Sequence, residues 1–206
     1  MTSTPLENAD TTVGVGGDFA RVFDHEDYLT MFNSLDEVSV VLRAHMILEE
    51  FLNIWCSRIT NTEDLFLGAF FPFKTKLVIA KNLGLSADYE IILNKFNDIR
   101  NSYSHKRKYI LEASRLELIK NKVNALNSEK PMLPCEQFYI EASGTDQLGQ
   151  RKEVKLEWST MDTKKRVLLI FIQLVMKFVQ WMQQEFIRRG IAYNLVVWGS
   201  TLNENS

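Results

Sequence analysis

Apolar residues recur every three or four positions along most of this chain, which is the spacing of helices that bury one face. The segment from Asp36 to Ile59 has the longest stripe, made of Val38, Val41, Leu42, His45, Leu48, Leu52, Trp55 and Ile59. The same spacing predicts further helices over residues 24–35, 73–83, 87–103, 114–126 and 162–189. The last helix is too broadly apolar for a surface helix, so we expect it to be central or to pair with another subunit.

A different pattern separates the fifth and sixth predicted helices. Pro131 and Pro134 break helix, and apolar and polar residues then alternate over 137–142 and 153–158. Alternation with a period of two is typical of a β-strand with one buried face. The sequence therefore predicts a mainly α-helical bundle, with a small β-hairpin inserted at 131–158.

The two ends of the chain lack helical periodicity. Residues 1–18 are rich in Thr, Gly and Asn and are expected to form a flexible arm, so the domain is placed at 19–190. The tail, residues 191–206, begins with an extended apolar stretch from Ile191 to Trp198. We expect this stretch either to pack back on the domain or to serve an interface.

Composition narrows the possible functions. The 206 residues are 46% apolar with a formal charge of -2, which suits one cored domain and creates no global field for nucleic acid. Any nucleic-acid role must therefore rest on a local basic patch. Cys56 and Cys135 form no metal-ligand pattern, and no signal peptide is evident, so no metal and a cytoplasmic setting are expected. The apolar run from Val167 to Met176 is too short to span a membrane and predicts a buried helix.

The candidate chemistry lies at the end of the predicted helix 87–103, where Arg100 and Asn101 are followed by His105. Arginine binds phosphate with a forked set of donors, and histidine can transfer a proton near neutral pH. In an unbroken helix these two residues would lie about 140° apart around the axis and ~7.5 Å apart along it. They can meet within one chain only if the helix ends between them. Ser102, Tyr103 and Ser104 offer that possibility.

Charged residues near this segment are candidates for supporting roles. Lys106, Arg107 and Lys108 directly follow His105 and could bind RNA phosphates, although such a run is more often a solvated surface. Arg100 could instead be a structural arginine tied to Asp98, Glu49 or Glu50. His45 lies on the apolar stripe and is expected to be a satisfied core residue.

The segment from Ile99 to His105 resembles the Arg-x4-6-His signature of the HEPN superfamily, in which a polar residue commonly follows the arginine. Two other segments, residues 44–52 and 73–85, are similar to the mannitol-repressor-like branch of that superfamily. The resemblance covers roughly residues 24–126 and implies an antiparallel helical bundle, with the predicted helix 162–189 as its last helix. The hairpin departs from a minimal bundle.

The resemblance also implies an activity. Many HEPN proteins are metal-independent endoribonucleases, often toxins or antiphage effectors, and they commonly form homodimers in which two motifs face one cleft. His105 would then act as general base or acid, Arg100 would stabilise the transition state, and Asn101 would position the phosphate. An RNA substrate, no cofactor, no membrane and a possible protein antitoxin or regulatory partner are the corresponding expectations.

Two other functions remain open. The first is a non-catalytic regulatory or protein-interaction module of the mannitol-repressor-like kind, which would bind its partner through the tail or the hairpin. The second is a helical bundle that binds a nucleotide or small molecule at the same motif. No helix-turn-helix is evident, so the sequence shows no element for direct reading of DNA.

Overall fold

The computed structural model describes residues 13–14, 17–106, 108–128, 131–145, 151–192 and 197–198. The protein is mainly α-helical, as predicted, and every predicted helix is present to within two residues at each end. The helices are α1 (His25–Asn33), α2 (Glu37–Thr60), α3 (Phe73–Asn82), α4 (Ala87–His105), α5 (Ala113–Ala125) and α6 (Thr163–Arg188).

Side-chain caps explain several of these helix starts. The Asp36 carboxylate accepts a hydrogen bond of 2.7 Å from the backbone N–H of Ser39 at the start of α2. The Asp162 carboxylate accepts one of 2.8 Å from Lys165 at the start of α6. Such caps satisfy backbone N–H groups that have no partner inside the helix. The polar residue before each apolar stripe therefore sets where the helix begins.

The core lies between α2 and α6, and α2 also packs against α3 and α4. Aromatic rings fill this contact: Phe51 lies 5.1 Å from Phe178, and Trp55 lies 4.8 Å from Trp181, measured between ring centroids. Tyr89 of α4 stacks on Phe178 at 4.6 Å. The wide apolar face of α6 is thus buried within the chain, which agrees with a central helix.

Three cations on or next to α6 bind the carboxyl ends of other helices. Lys164 donates a hydrogen bond of 2.5 Å to the Ser34 carbonyl at the end of α1. Lys177 donates to carbonyls at the end of α5, and Arg189 donates to the Leu83 carbonyl, which ends α3, at 3.1 Å. Positive charge is favourable at a helix carboxyl end, where carbonyls lack partners. Side chains of α6 and of Arg189, which follows it, therefore bind the carboxyl ends of α1, α3 and α5.

α6 passes the length and composition test for a membrane-spanning helix, but 67% of its most apolar 18-residue stretch is buried inside the protein. The prediction that the apolar run Val167–Met176 forms part of a buried helix is therefore confirmed, and the helix that contains it extends well beyond the run. Its burial against α2 and α5 is the interpretation that the packing supports.

The strands lie outside the bundle. β1 (Val13–Gly14) pairs with β4 (Val197–Trp198), and β2 (Tyr139–Thr145) pairs antiparallel with β3 (Arg151–Glu157). The second pair occupies the segment where the sequence predicts a hairpin, with both strands shifted from 137–142 and 153–158. Strand β4 of the tail thus contacts the predicted arm, which contains β1, and both expectations for the tail stay predictions. Residues 1–12, 15 and 16 of the predicted arm lie outside the described residues.

Candidate functional site

α4 continues without a break from Arg100 through His105. The Lys106 N–H still donates a helical hydrogen bond of 3.0 Å to the Ser102 carbonyl. The helix does not end at Ser102 to Ser104, which was the possibility that the sequence left open; the Ser102 hydroxyl donates back to the Asp98 carbonyl at 2.9 Å and so fits within a helix. Arg100 and His105 therefore lie on sides of α4 about 140° apart and do not converge within one chain.

Arg100 lies on the side of α4 that also carries Asn97. Its Nη1 donates a hydrogen bond of 3.1 Å to the Asn101 side-chain oxygen, so the arginine and the asparagine of the motif contact each other. Asn97 is 7% exposed and shares a hydrogen bond of 3.2 Å with Nε2 of His45 on α2. Arg100 thus belongs to the polar contact between α2 and α4.

His45 is buried, as the sequence predicts, and its ring lies 4.3 Å from the ring of Phe73. Burial lowers the pKa of His45, the hydrogen bond to Asn97 opposes that shift, and the positive charge of Arg100 adds to it. These influences favour the neutral imidazole. His45 is therefore a core residue whose polar edge faces the Arg100 side of α4.

The carboxylates proposed to hold Arg100 have other neighbours. Glu49 forms an ion pair of 2.8 Å with Lys76 of α3, whose side chain is only 10% exposed. A buried ammonium requires a compensating partner, and Glu49 supplies it. Asp98 lies about 200° from Arg100 around the helix, so the two cannot face each other. Asp98 instead acts electrostatically on Arg115 of α5. Among the described residues, Arg100 forms no ion pair with Glu49 or Asp98, two of the three carboxylates that were considered as its partners.

His105 is exposed at the end of α4. Spacings of four and three residues place Asp98, Ser102 and His105 along one side of the helix. Arg115 reaches this side from the first turn of α5, where its Nη1 donates hydrogen bonds of 3.1 Å to the Ser102 hydroxyl and 2.9 Å to the Tyr109 hydroxyl. Sequence reasoning missed Arg115, because no motif marks it and the contact depends on how α5 packs.

Aromatic residues support this end of α4. Tyr103 donates a hydrogen bond of 2.5 Å to Glu37 and packs edge-on against Tyr109, with ring centroids 4.8 Å apart. Burial, followed by the hydrogen bond to Glu37, raises the pKa of Tyr103 far above its ordinary value. The Lys106 ammonium lies 5.5 Å from the centre of the Tyr109 ring. Tyr103 is thus a packing residue, as expected, and Tyr109 is a second residue that the sequence did not single out.

The remaining predicted residues are at the surface. Ser104, Lys106 and Lys108 are exposed, whereas Arg107 lies outside the described residues. The basic run is therefore available to solvent at two of its three positions, next to an exposed histidine.

A small cleft of about 60 Å³ runs between α4 and α5, next to this side of the motif. It is lined by Lys95, Asp98, Ile99, Arg115, Leu118 and Ile119. Within the described ranges, no three His, Cys, Asp or Glu side chains are grouped so that they could hold a metal ion. Cys56 and Cys135 are both buried, and burial raises the pKa of each thiol to about 12, so neither is poised as a nucleophile.

No family model, curated protein or solved structure matches this chain.

Proposed function

We propose that this protein is a metal-independent endoribonuclease of the HEPN type that acts as a homodimer in the cytoplasm, as a toxin or antiphage effector. The observation that carries the proposal is the exposed His105 at the end of α4, next to exposed Lys106 and Lys108. A histidine with access to solvent beside phosphate-binding cations is what RNA cleavage without a metal needs. The resemblance of the Arg100-Asn101 and His105 segment to the HEPN signature supplies the reaction class.

The helix geometry supports the proposed homodimer. Since α4 holds Arg100 and His105 on different sides, one chain does not bring both to the same phosphate. A second copy facing the first could place its Arg100 beside His105. Each cleft would then combine His105 of one protomer with Arg100 of its partner.

The chemistry is a transfer within the RNA chain. His105 removes the proton of a ribose 2′-hydroxyl, and the 2′-oxygen attacks the adjacent phosphorus. The bond from phosphorus to the 5′-oxygen breaks, the leaving oxygen takes a proton from water, and His105 returns its proton to water. Arg100 stabilises the additional negative charge on the phosphorane-like transition state. Asn101, which contacts Arg100, helps to position the phosphate. The products are a 2′,3′-cyclic phosphate and a 5′-hydroxyl end.

The direct test is cleavage of a mixed RNA pool by purified protein in excess EDTA. We expect the wild type to leave 2′,3′-cyclic phosphate ends, and His105→Ala and Arg100→Ala to lose this activity. Lys74→Ala is a matched control, because Lys74 is exposed on α3 and away from the motif. Equal cleavage by wild type and His105→Ala would refute the proposal.

Mixing the two inactive variants tests the shared cleft. In a mixed dimer of Arg100→Ala and His105→Ala protomers, one of the two composite clefts is intact. Random exchange of subunits would restore about a quarter of the wild-type activity. If each site were formed within one chain, mixing would restore nothing.

Exposed apolar residues favour one other function, that of a non-catalytic protein-interaction module. Leu67 and Phe70 are 80% and 91% exposed in the segment between α2 and α3. Apolar side chains presented together at a surface are typical of a protein contact. This alternative predicts no growth arrest on expression, together with a protein partner whose binding is lost in Phe70→Ser and retained in His105→Ala.

A further inference from the structure

An arginine of α5, Arg115, contacts the side of α4 that carries His105. Ser102 precedes His105 by three residues, which makes the two side chains neighbours on the helix surface. Arg115 donates a hydrogen bond of 3.1 Å to the Ser102 hydroxyl, so its guanidinium lies on this side. Arg100 lies on the other side, with Asn97. Within one protomer, Arg115 is therefore better placed than Arg100 to share a ligand with His105.

Arg115 is held in place but keeps free donors. Both of its hydrogen bonds, to Ser102 and Tyr109, come from Nη1, and no described residue accepts one from Nε or Nη2. A guanidinium fixed at one nitrogen loses little further freedom when its remaining donors bind an anion. No carboxylate within the described residues forms an ion pair with it; Asp98 and Glu112 act on it only through longer-range electrostatics.

The surroundings favour an anion. Arg115 and Lys95 both line the small cleft between α4 and α5, where Asp98 is the one carboxylate. Exposed Lys106 and Lys108 follow His105 at the end of α4. The local surface is therefore cationic, although the chain as a whole carries a formal charge of -2.

We propose that Arg115 binds a phosphate of the RNA substrate on the His105 side of α4, positioned for this by Ser102 and Tyr109. This inference rests on the proposed ribonuclease function and adds a substrate-binding residue from α5. Each substrate phosphate next to His105 would then be contacted by Arg115 of the same protomer, while Arg100 is supplied by the partner.

The test measures the affinity for a single-stranded RNA oligonucleotide at several salt concentrations, with His105→Ala protein so that the RNA stays intact. Adding Arg115→Gln is expected to weaken binding about fivefold at 0.1 M salt. The slope of log affinity against log salt should fall by about 0.7, the contribution of one phosphate contact on a single strand. Lys122→Gln on the same helix is the control and should change neither value.

If Arg115 has a purely structural role, loss of its charge should leave both the RNA affinity and the salt slope unchanged. Ser102→Ala is the control for loss of an anchor. It removes one of the hydrogen bonds that hold Arg115 and leaves the charge of Arg115 in place, so the salt slope should not change. Arg115→Gln that melts like its parent but keeps the parental affinity and slope would overturn the inference. If Arg115→Gln does not fold, Arg115→Lys decides: lysine keeps the charge but lacks the planar fork through which one nitrogen holds Ser102 and Tyr109 while the others bind a phosphate, so binding should weaken. An affinity equal to that of the parent would again overturn the inference.

The outcome also separates this inference from the proposed function. RNA cleavage by wild type in EDTA with unchanged binding in Arg115→Gln would remove only the role of Arg115. No RNA binding and no cleavage by any of the proteins would refute both.

Discussion

Lys177 is the residue whose replacement tests most sharply how this bundle is held together. It is 3% exposed on α6, and its ammonium donates to the carbonyls of Val123 at 2.8 Å, Asn124 at 3.2 Å and Leu126 at 3.1 Å. These carbonyls end α5, where no further turn supplies N–H donors. Lys177→Met keeps the aliphatic volume and removes all three bonds.

The expected loss of stability depends on the two carbonyls that have no other donor once the ammonium is removed. Val123 still accepts the Leu126 N–H at 3.2 Å, so Asn124 and Leu126 are the carbonyls left without the ammonium. A buried acceptor without a partner costs about 1–3 kcal/mol, giving roughly 2–6 kcal/mol for two. Removing a buried charge returns part of that, since its desolvation no longer opposes folding. We expect a net loss of about 3 kcal/mol in the free energy of unfolding.

The assay is urea denaturation followed by tryptophan fluorescence and circular dichroism, together with thermal melting. A loss of about 3 kcal/mol corresponds to a melting temperature lower by roughly 6–12 °C in a domain of this size. Lys74→Met is the matched control, because Lys74 is exposed on α3, and it should stay within about 0.5 kcal/mol of wild type. A Lys177→Met protein as stable as wild type would show that desolvation of the ammonium cancels its hydrogen bonds.

Three further predictions concern stability and use the same denaturation assay. Gly84→Ala should lose about 1–3 kcal/mol, because Gly84 has φ +91° and a Cβ there would lie 2.5 Å from Nη2 of Arg189. Gly68→Ala, at φ +84° where a Cβ would meet no atom of the described residues within 4 Å, should lose less stability, and equal losses would rule out the clash at Gly84. Tyr89→Phe should be neutral or stabilising by about 1 kcal/mol, since the buried Tyr89 hydroxyl has no hydrogen-bond partner among the described residues, and a clear loss would contradict this. Because burial lowers the pKa of His45, the unfolded chain takes up more protons below the ordinary value of 6.5. Stability should therefore fall as the pH drops below that value, and His45→Gln should reduce the fall; an unchanged pH profile would refute it.

Much of the fold could be predicted from the sequence, because helix formation depends on residues three and four apart. The apolar stripe of α2 and the polar residues Asp36, Ser86 and Asp162 before their helices lie close together in the chain, so periodicity and capping predict where the helices are. The sequence left open whether the helix ends between Arg100 and His105, and the structure shows that it does not. The Ser102 hydroxyl bonds back to Asp98 within the helix, as serine can, and no residue in the segment forces an end.

Only the residues of the candidate site that are neighbours in the sequence could be predicted. The exposed His105 and the neighbouring cations lie next to each other in the chain, and their residue types point to phosphate chemistry. That Glu49 pairs with Lys76 rather than with Arg100 depends on the packing of α2 against α3. Nothing within a few positions of Glu49 indicates which buried cation needs its charge.

Periodicity and capping within the sequence alone determined which segments are helical, where the helices begin and which faces they bury. Only the tertiary structure decided that Lys177 closes the end of α5 and that Arg115, rather than Arg100, shares the His105 side of α4. The reason is physical: helix periodicity comes from bonds over four residues, whereas these contacts join residues of different helices. Their geometry exists only once the helices have packed, and no local pattern encodes it.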